Sequence, residues 1–167
     1  MSHRGALDDL YGTALSSIVI LGPDDAGEIL TLQRAAYVTE AAAHHDFDLP
    51  PLTQTLADLE EELADPAVVA LGIRDNGRLI GAARLRCSGH TVELGRLVVA
   101  PDRQREGVGT RLLLHAETVT PEIREMRLFT GEHSTANIRL YTRHGYHETS
   151  RTSAGSYQLV NFVKAVR

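Results

Sequence analysis

One cysteine, one lysine and no tryptophan stand among the 167 residues, and no apolar run is long. A lone cysteine, Cys87, excludes an internal disulfide and fits a reducing compartment. It lies in an alternating apolar pattern, so it reads as a core or sheet-face thiol rather than a nucleophile. No stretch approaches the roughly 18 to 20 apolar residues of a membrane-spanning helix, and no membrane partner is expected. The first residues carry Asp8 and Asp9 without an apolar core, unlike a secretory signal, so a cytoplasmic location is expected. Internal repeats and low-complexity linkers are absent. A chain of 167 residues with 43% apolar content therefore suits one domain. Residues 1–16 read as a poorly ordered N-terminal arm, and residues 17–167 as the domain.

Lysine is scarce, but positive charge is not: 16 of the 17 basic residues are arginine. Residues 1–83 hold 4 arginines and 14 acidic groups, a net of −10. Residues 84–167 hold 12 arginines and Lys164 against 8 acidic groups, a net of +5. Long-range fields steer charged ligands, so an anion suits the second half and a cation the first. An uneven solvated surface has the same signature. The total of −5 and the lack of a basic patch interleaved with aromatics exclude general nucleic-acid binding.

Periodicity predicts a strand over Ser17–Leu21, ended by Gly22-Pro23. Asp24 caps a predicted helix whose stripe is Ile29, Leu32, Ala36 and Val38. The stretch His44–Pro51 ends it, because Pro50-Pro51 cannot continue a helix. A second helix runs through Leu56, Leu59 and Leu63 behind a Thr53 or Thr55 cap, ending near Asp65-Pro66. Strands follow over 68–74, 78–87 and 91–100, with Asp75-Asn76-Gly77 as a hairpin turn. A helix from Gly107 to about Val119, a strand over 126–130, a helix at Asn137 and strands over 146–150 and 157–166 complete the pattern.

The most informative segment joins the Val98-Val99 strand to the Gly107 helix. It reads Pro101-Asp-Arg-Gln104-Arg-Glu-Gly107-Val-Gly109. Glycines let backbone approach a bulky anion, and the first N–H groups of a helix lack internal partners. Together with the helix dipole they suit a phosphate. A glycine pair can also be only a tight turn. A dinucleotide fingerprint would need a third glycine at Leu112, and no P-loop lysine follows. What remains, Gln104-x-x-Gly107-x-Gly109, resembles the acyl-CoA signature of the GNAT superfamily of N-acyltransferases. The later segment Asn137-Ile-Arg-Leu140-Tyr141 with Gly145-Tyr146 resembles that family's next block, in the family's order.

The resemblance covers Ile80–Glu148 well and the first third only by position. It implies an α/β fold with a mixed central sheet of about six to seven strands flanked by about four helices. It further implies an N-acetyltransferase using acetyl-CoA as cosubstrate, with no metal, through direct attack of a primary amine. The acceptor expected from the acidic first half is a cationic small molecule. A peptide or protein amine, and an acyl-CoA-binding module without catalysis, stay open. The resemblance also leaves a homodimer open.

By the same resemblance, Leu97, Val98 and Val99 carry pantetheine along the strand, and a backbone N–H near Val98 polarises the thioester. Arg103, Gln104, Arg105, Glu106, Gly107, Val108, Gly109 and Thr110 form the pyrophosphate turn, with Arg111 a further phosphate contact. Asn137 bonds the pantetheine arm. Tyr141 touches the cofactor and protonates the leaving thiolate, or is a helix-face aromatic. Glu93, eleven residues before Gln104, stands where family members place a catalytic glutamate. An exposed carboxylate paired with Arg84 or Arg96 is the other reading. His44, His45, Asp46 and Asp48 lie where the family's acceptor loop falls. Adjacent residues such as His44 and His45 do not converge on one ion, so no metal is expected there.

Overall fold

The computed structural model describes residues 16–166, so the predicted arm lies outside the described residues except for Ser16. Seven strands form one mixed sheet in the order β1-β2-β3-β4-β5-β7-β6. They are β1 (Ser16–Leu21), β2 (Val68–Asp75), β3 (Arg78–Ser88), β4 (Thr91–Val99), β5 (Glu125–Gly131), β6 (His147–Ala154) and β7 (Tyr157–Ala165). The helices are α1 (Ala26–His44), α2 (Pro50–Thr53), α3 (Leu56–Ala64), α4 (Val108–Ala116) and α5 (Thr135–Arg143). Among the described residues every strand pair is antiparallel except β4 with β5.

The centre of the sheet is buried on both faces. Along β2 and β3, Ala70, Leu79 and Ala82 meet α1 and α3 through Ile29, Leu32 and Leu59, with Leu21 of β1 beside them. The intervening Leu71, Ile73, Ile80, Ala83 and Leu85 meet α4 through Leu112, Leu113 and Ala116. Strands covered on both sides read as near-continuous apolar runs, as these do. The edge strand β6 is polar and exposed along almost its whole length, which blunts edge-to-edge pairing.

Two details differ from the periodicity. Val38 is exposed (52%), and Leu30 joins Ile29 and Leu32 in the core instead. Pro50-Pro51, read as a helix breaker, opens the short helix α2, where proline at the first positions has no N–H to lose. Between α1 and α2, His45 takes a left-handed cap (φ 51°), and the Asp46 N–H returns to the Ala41 carbonyl at 3.0 Å.

The decisive feature is a bulge in β4. Arg84 faces Gly95 and Ala82 faces Val98, so β4 carries one residue more than β3 over this interval. Arg96 sits within it at φ 52°, a left-handed conformation unusual for arginine. Bulges bend a strand and increase its twist. Accordingly, β4 pairs with β5 only from Thr91 to Glu93, opposite Glu125–Arg127. Beyond Glu93 the two strands part. Helix α4 is pressed onto β3 at this point. A Cβ at Gly81 would stand 2.5 Å from Val108 Cγ1 and 3.4 Å from the Val98 carbonyl, so only glycine allows so close an approach.

Candidate active site

A cavity of about 450 Å³ opens beside the freed edge of β4. Leu97, Val98 and Val99 form one wall, and Gln104, Arg105, Gly107, Val108, Gly109 and Thr110 another. Asn137, Leu140 and Arg143 from α5 close it. Arg105 (φ 65°) and Gly107 (φ 81°) both take left-handed conformations as the chain turns into α4. The first helical bond runs from the Arg111 N–H to the Gly107 carbonyl at 3.0 Å. The N–H groups of Val108, Gly109 and Thr110 therefore precede the ladder and present an anion-binding start. A Cβ on Gly109 would reach only ordinary contact with Val99 and Leu140, both lining residues.

Four of the expected cofactor contacts, Arg103, Glu106, Arg111 and Tyr141, fall outside this lining. Arg103 donates to Asp75 at 2.8 Å and to Glu106 at 2.9 Å, so these two side chains hold each other instead of facing a phosphate. Tyr141 is buried and lines the neighbouring cavity. Arg111 also lies outside the lining, and Arg143 stands in it unforeseen.

That neighbouring cavity, also about 450 Å³, lies on the far side of the β4–β5 gap. Tyr37, Glu40, Leu97 and Asn137 line both cavities and so mark where they meet. The Glu40 carboxylate accepts hydrogen bonds from the Ser134 hydroxyl and from Asn137 Nδ2, the latter at 3.4 Å. Asn137 Nδ2 also lies 3.4 Å from Thr130 Oγ1. Burial raises the Tyr141 phenol above its ordinary value, with Tyr37 and Glu40 adding to the shift. Burial likewise raises Tyr37, against the pull of Arg96.

His44 is buried here, but both ring nitrogens are committed. Its Nδ1 donates to the Glu40 carbonyl at 2.9 Å, and its Nε2 accepts the His133 N–H at 3.1 Å. A carbonyl can only accept and an N–H only donate, so the proton sits on Nδ1. Its ring packs 4.6 Å from that of Tyr157, whose hydroxyl donates to Asp46 at 3.0 Å. Of the predicted acceptor loop, His44 and Asp46 line the cavity, whereas His45 and Asp48 point to solvent.

Glu93 is exposed and lines a third, larger cavity of about 700 Å³, flanked in register by Arg86 and Arg127. It forms no ion pair with Arg84 or Arg96, since Arg84 is taken by Glu62 at 2.9 Å. Leu94, Gly95, Arg96 and Phe129 line both this cavity and the one holding Tyr141.

The profile of the Acetyltransferase (GNAT) family matches residues 29–146. The chain belongs to the GNAT acetyltransferase family. Among solved structures it is similar to the PaiA N-acetyltransferase of Thermoplasma acidophilum in complex with coenzyme A. The TM-score is 0.78 at 21% identity, over 90% of this chain and 98% of that one. It is also similar to the ribosomal-protein-S18-alanine N-acetyltransferase of Escherichia coli, with TM-score 0.73 at 18% identity, over 90% and 94% of the two chains. A curated relative, UPF0157 protein YqkA of Bacillus subtilis, is 29% identical over 136 residues. The match spans 81% of this chain but 38% of that protein's length.

Within this GNAT frame, sequence reasoning missed Tyr37, Glu40, Arg96, Phe129, Thr130, Ser134 and Tyr157. One signal was available. Gln33, Tyr37, Glu40 and His44 recur at helical spacing on α1, a polar ridge along one face of an otherwise mixed helix.

Proposed function

We propose that this protein transfers the acetyl group of acetyl-CoA to a primary amine that arrives as an ammonium cation. The observation that carries this reading is the pair of cavities meeting at Tyr37, Glu40, Leu97 and Asn137 across the parted strands. Pyrophosphate rests on the start of α4, and pantetheine extends along Leu97–Val99 in the manner of an added strand. The thioester carbonyl then lies beside unpaired backbone of β4, whose N–H can polarise it, a contribution of about 3 kcal/mol for one oxyanion donor.

The ammonium first loses a proton, because a lysine-like amine has a pKa near 10.4. Its nitrogen attacks the carbonyl carbon, the C–N bond forms, and the tetrahedral intermediate expels the CoA sulfur. The thiolate takes a proton and the nitrogen loses its second, leaving an amide, free CoA thiol and one net proton. Tyr141 supplies the thiolate's proton. Its raised pKa keeps the phenol protonated throughout the neutral range.

For the base, Glu40 stands where the two cavities meet and is already held by Ser134 and Asn137. Glu93 is the second reading, acting from the adjoining large cavity through water past Gly95 and Arg96. Acidic Glu40 and Asp46 in the acceptor cavity favour a cationic amine, and a peptide amine differs only in the chain attached to it. A thiol-release assay with acetyl-CoA and an amine and peptide panel tests the reading. Release that depends on both substrates supports it. Tight acetyl-CoA binding without release from any amine makes the protein a binding module instead.

A further inference from the structure

Arg96 stands apart from the arginines around it. Arg84 is paired with Glu62, Arg86 with Asp65 and Arg127 with Glu125. Among the described residues Arg96 forms no ion pair, and its Nε is buried without a hydrogen-bond partner. Beside it stand the Tyr37 phenol, with which its side chain hydrogen-bonds, and the like charge of Arg84, so no anion balances it. Its backbone is left-handed at the bulge, a conformation that costs a β-carbon-bearing residue free energy. Arg96 is half-buried, and holding one guanidinium N–H away from water with no acceptor adds to that cost. An uncompensated charge and an unpaired Nε on one strained residue, at the wall of the acceptor cavity, leave a place where an anionic acceptor atom is rewarded.

The guanidinium fork matches a carboxylate in shape and charge. We infer that Arg96 receives a carboxylate of the acceptor, which makes the acceptor a small amino-carboxylate rather than a polycation. This rests on the acetyl-transfer reading above. The amine end faces Glu40, Asn137 and Tyr141, and the carboxylate end faces Arg96, all lining one cavity. Opposite charges at the two ends orient the molecule so that nitrogen, not carboxylate, meets the thioester. A polyamine in the same place sets a second cation against Arg96. A longer substituent has room over Phe129 into the larger cavity that Arg96 also lines.

The test compares matched amines: L-leucine against 3-methylbutylamine, L-methionine against its decarboxylated amine, and spermidine. Thiol release from acetyl-CoA is read for the wild type, Arg96→Gln and Arg96→Lys, with acetyl-CoA affinity measured by calorimetry. The wild type is expected to favour each amino acid by at least about tenfold in kcat/KM. Arg96→Gln should raise KM for the amino acids about tenfold or more, spare the decarboxylated amines and leave acetyl-CoA affinity unchanged; Arg96→Lys should recover part of the loss. Equal losses for all amines, loss of acetyl-CoA affinity, or a preference for spermidine overturns the inference. Succinyl-CoA in place of acetyl-CoA forms the second arm. If the wild type prefers it and Arg96→Gln abolishes that preference alone, the carboxylate belongs to the acyl chain and the inference fails. If no amine releases thiol, the transfer reading has failed. Calorimetry of L-leucine against the protein saturated with CoA then judges Arg96 alone: binding lost in Arg96→Gln upholds the carboxylate site, and no binding to the wild type overturns it.

Discussion

The cavity proposed for acetyl-CoA leans on main chain at the start of α4, and the cavity proposed for the acceptor on side chains. On one side, two left-handed residues and three leading N–H groups of α4 shape the proposed anion cradle, in one run from Gln104 to Thr110. On the other, Tyr37, Glu40, Asp46, Arg96, Thr130, Tyr141 and Tyr157 converge from α1, its following loop, three strands and α5. A backbone cradle leaves a local signature of glycines at set spacing. A side-chain cavity gathered from distant segments leaves none. The two halves of one active site therefore differ in legibility for a physical reason, and they should differ in their response to substitution.

The largest expected effect is on the side-chain half. Tyr141→Phe should lower kcat by roughly one to three orders of magnitude with acetyl-CoA affinity unchanged, read by steady-state kinetics beside calorimetry. A fall in acetyl-CoA affinity of similar size would place Tyr141 in the cofactor half instead. Next comes the cradle. Gly109→Val projects between Val99 and Leu140 into the cofactor cavity and should weaken acetyl-CoA binding by about tenfold or more, with a small change in melting temperature. Unchanged affinity in the folded variant removes the phosphate assignment.

A third, of comparable size, concerns the seat of the cradle. Gly81→Ala drives a methyl against Val108 and should destabilise the fold by about 1–3 kcal/mol by overpacking, seen in denaturant unfolding. Smaller again is the choice of base. Glu40→Gln should flatten the acidic limb of the pH–rate profile, and Glu93→Gln should leave it; the opposite result returns the role to Glu93. The smallest effect is on alkaline stability. Burial raises Tyr141 and Tyr146 above the usual tyrosine pKa of about 10, so the folded state keeps protons that the unfolded chain gives up. Stability from these phenols is whole below pH 10 and falls as pH rises beyond it. Unfolding curves from pH 8 to 11 should show that decline, and Tyr146→Phe should lessen it.

Much of the fold was legible because its periods are strong. Alternation located the seven strands within a few residues, and Val108, Leu112, Leu113 and Ala116 do face the sheet as their spacing predicts. The helix behind them ends at Ala116 rather than near Val119, since Pro121 stops a helix without saying how early it frays. The bulge at Arg96 was illegible because nothing in Gly95-Arg96-Leu97 tells a left-handed arginine from an ordinary one. The polar ridge on α1 was passed over because Glu40 and Tyr37 on a surface helix look the same solvated or facing a cavity. Arg103 misled for the converse reason. It stands beside the signature, but Asp75 and Glu106 claim its side chain.

Gly81 carries a lesson about change over generations. The cradle is seated by a missing atom at the heart of the sheet, so almost any replacement there disturbs the core before it alters binding. The acceptor wall has a seat of the same kind at Gly131, where a Cβ would run into His44 Nε2. Its other side chains come from separate segments, away from the contact that seats α4. Each cavity thus pairs one fixed seat with replaceable side chains, and substitution at Gly81 or Gly131 should be the least tolerated around them.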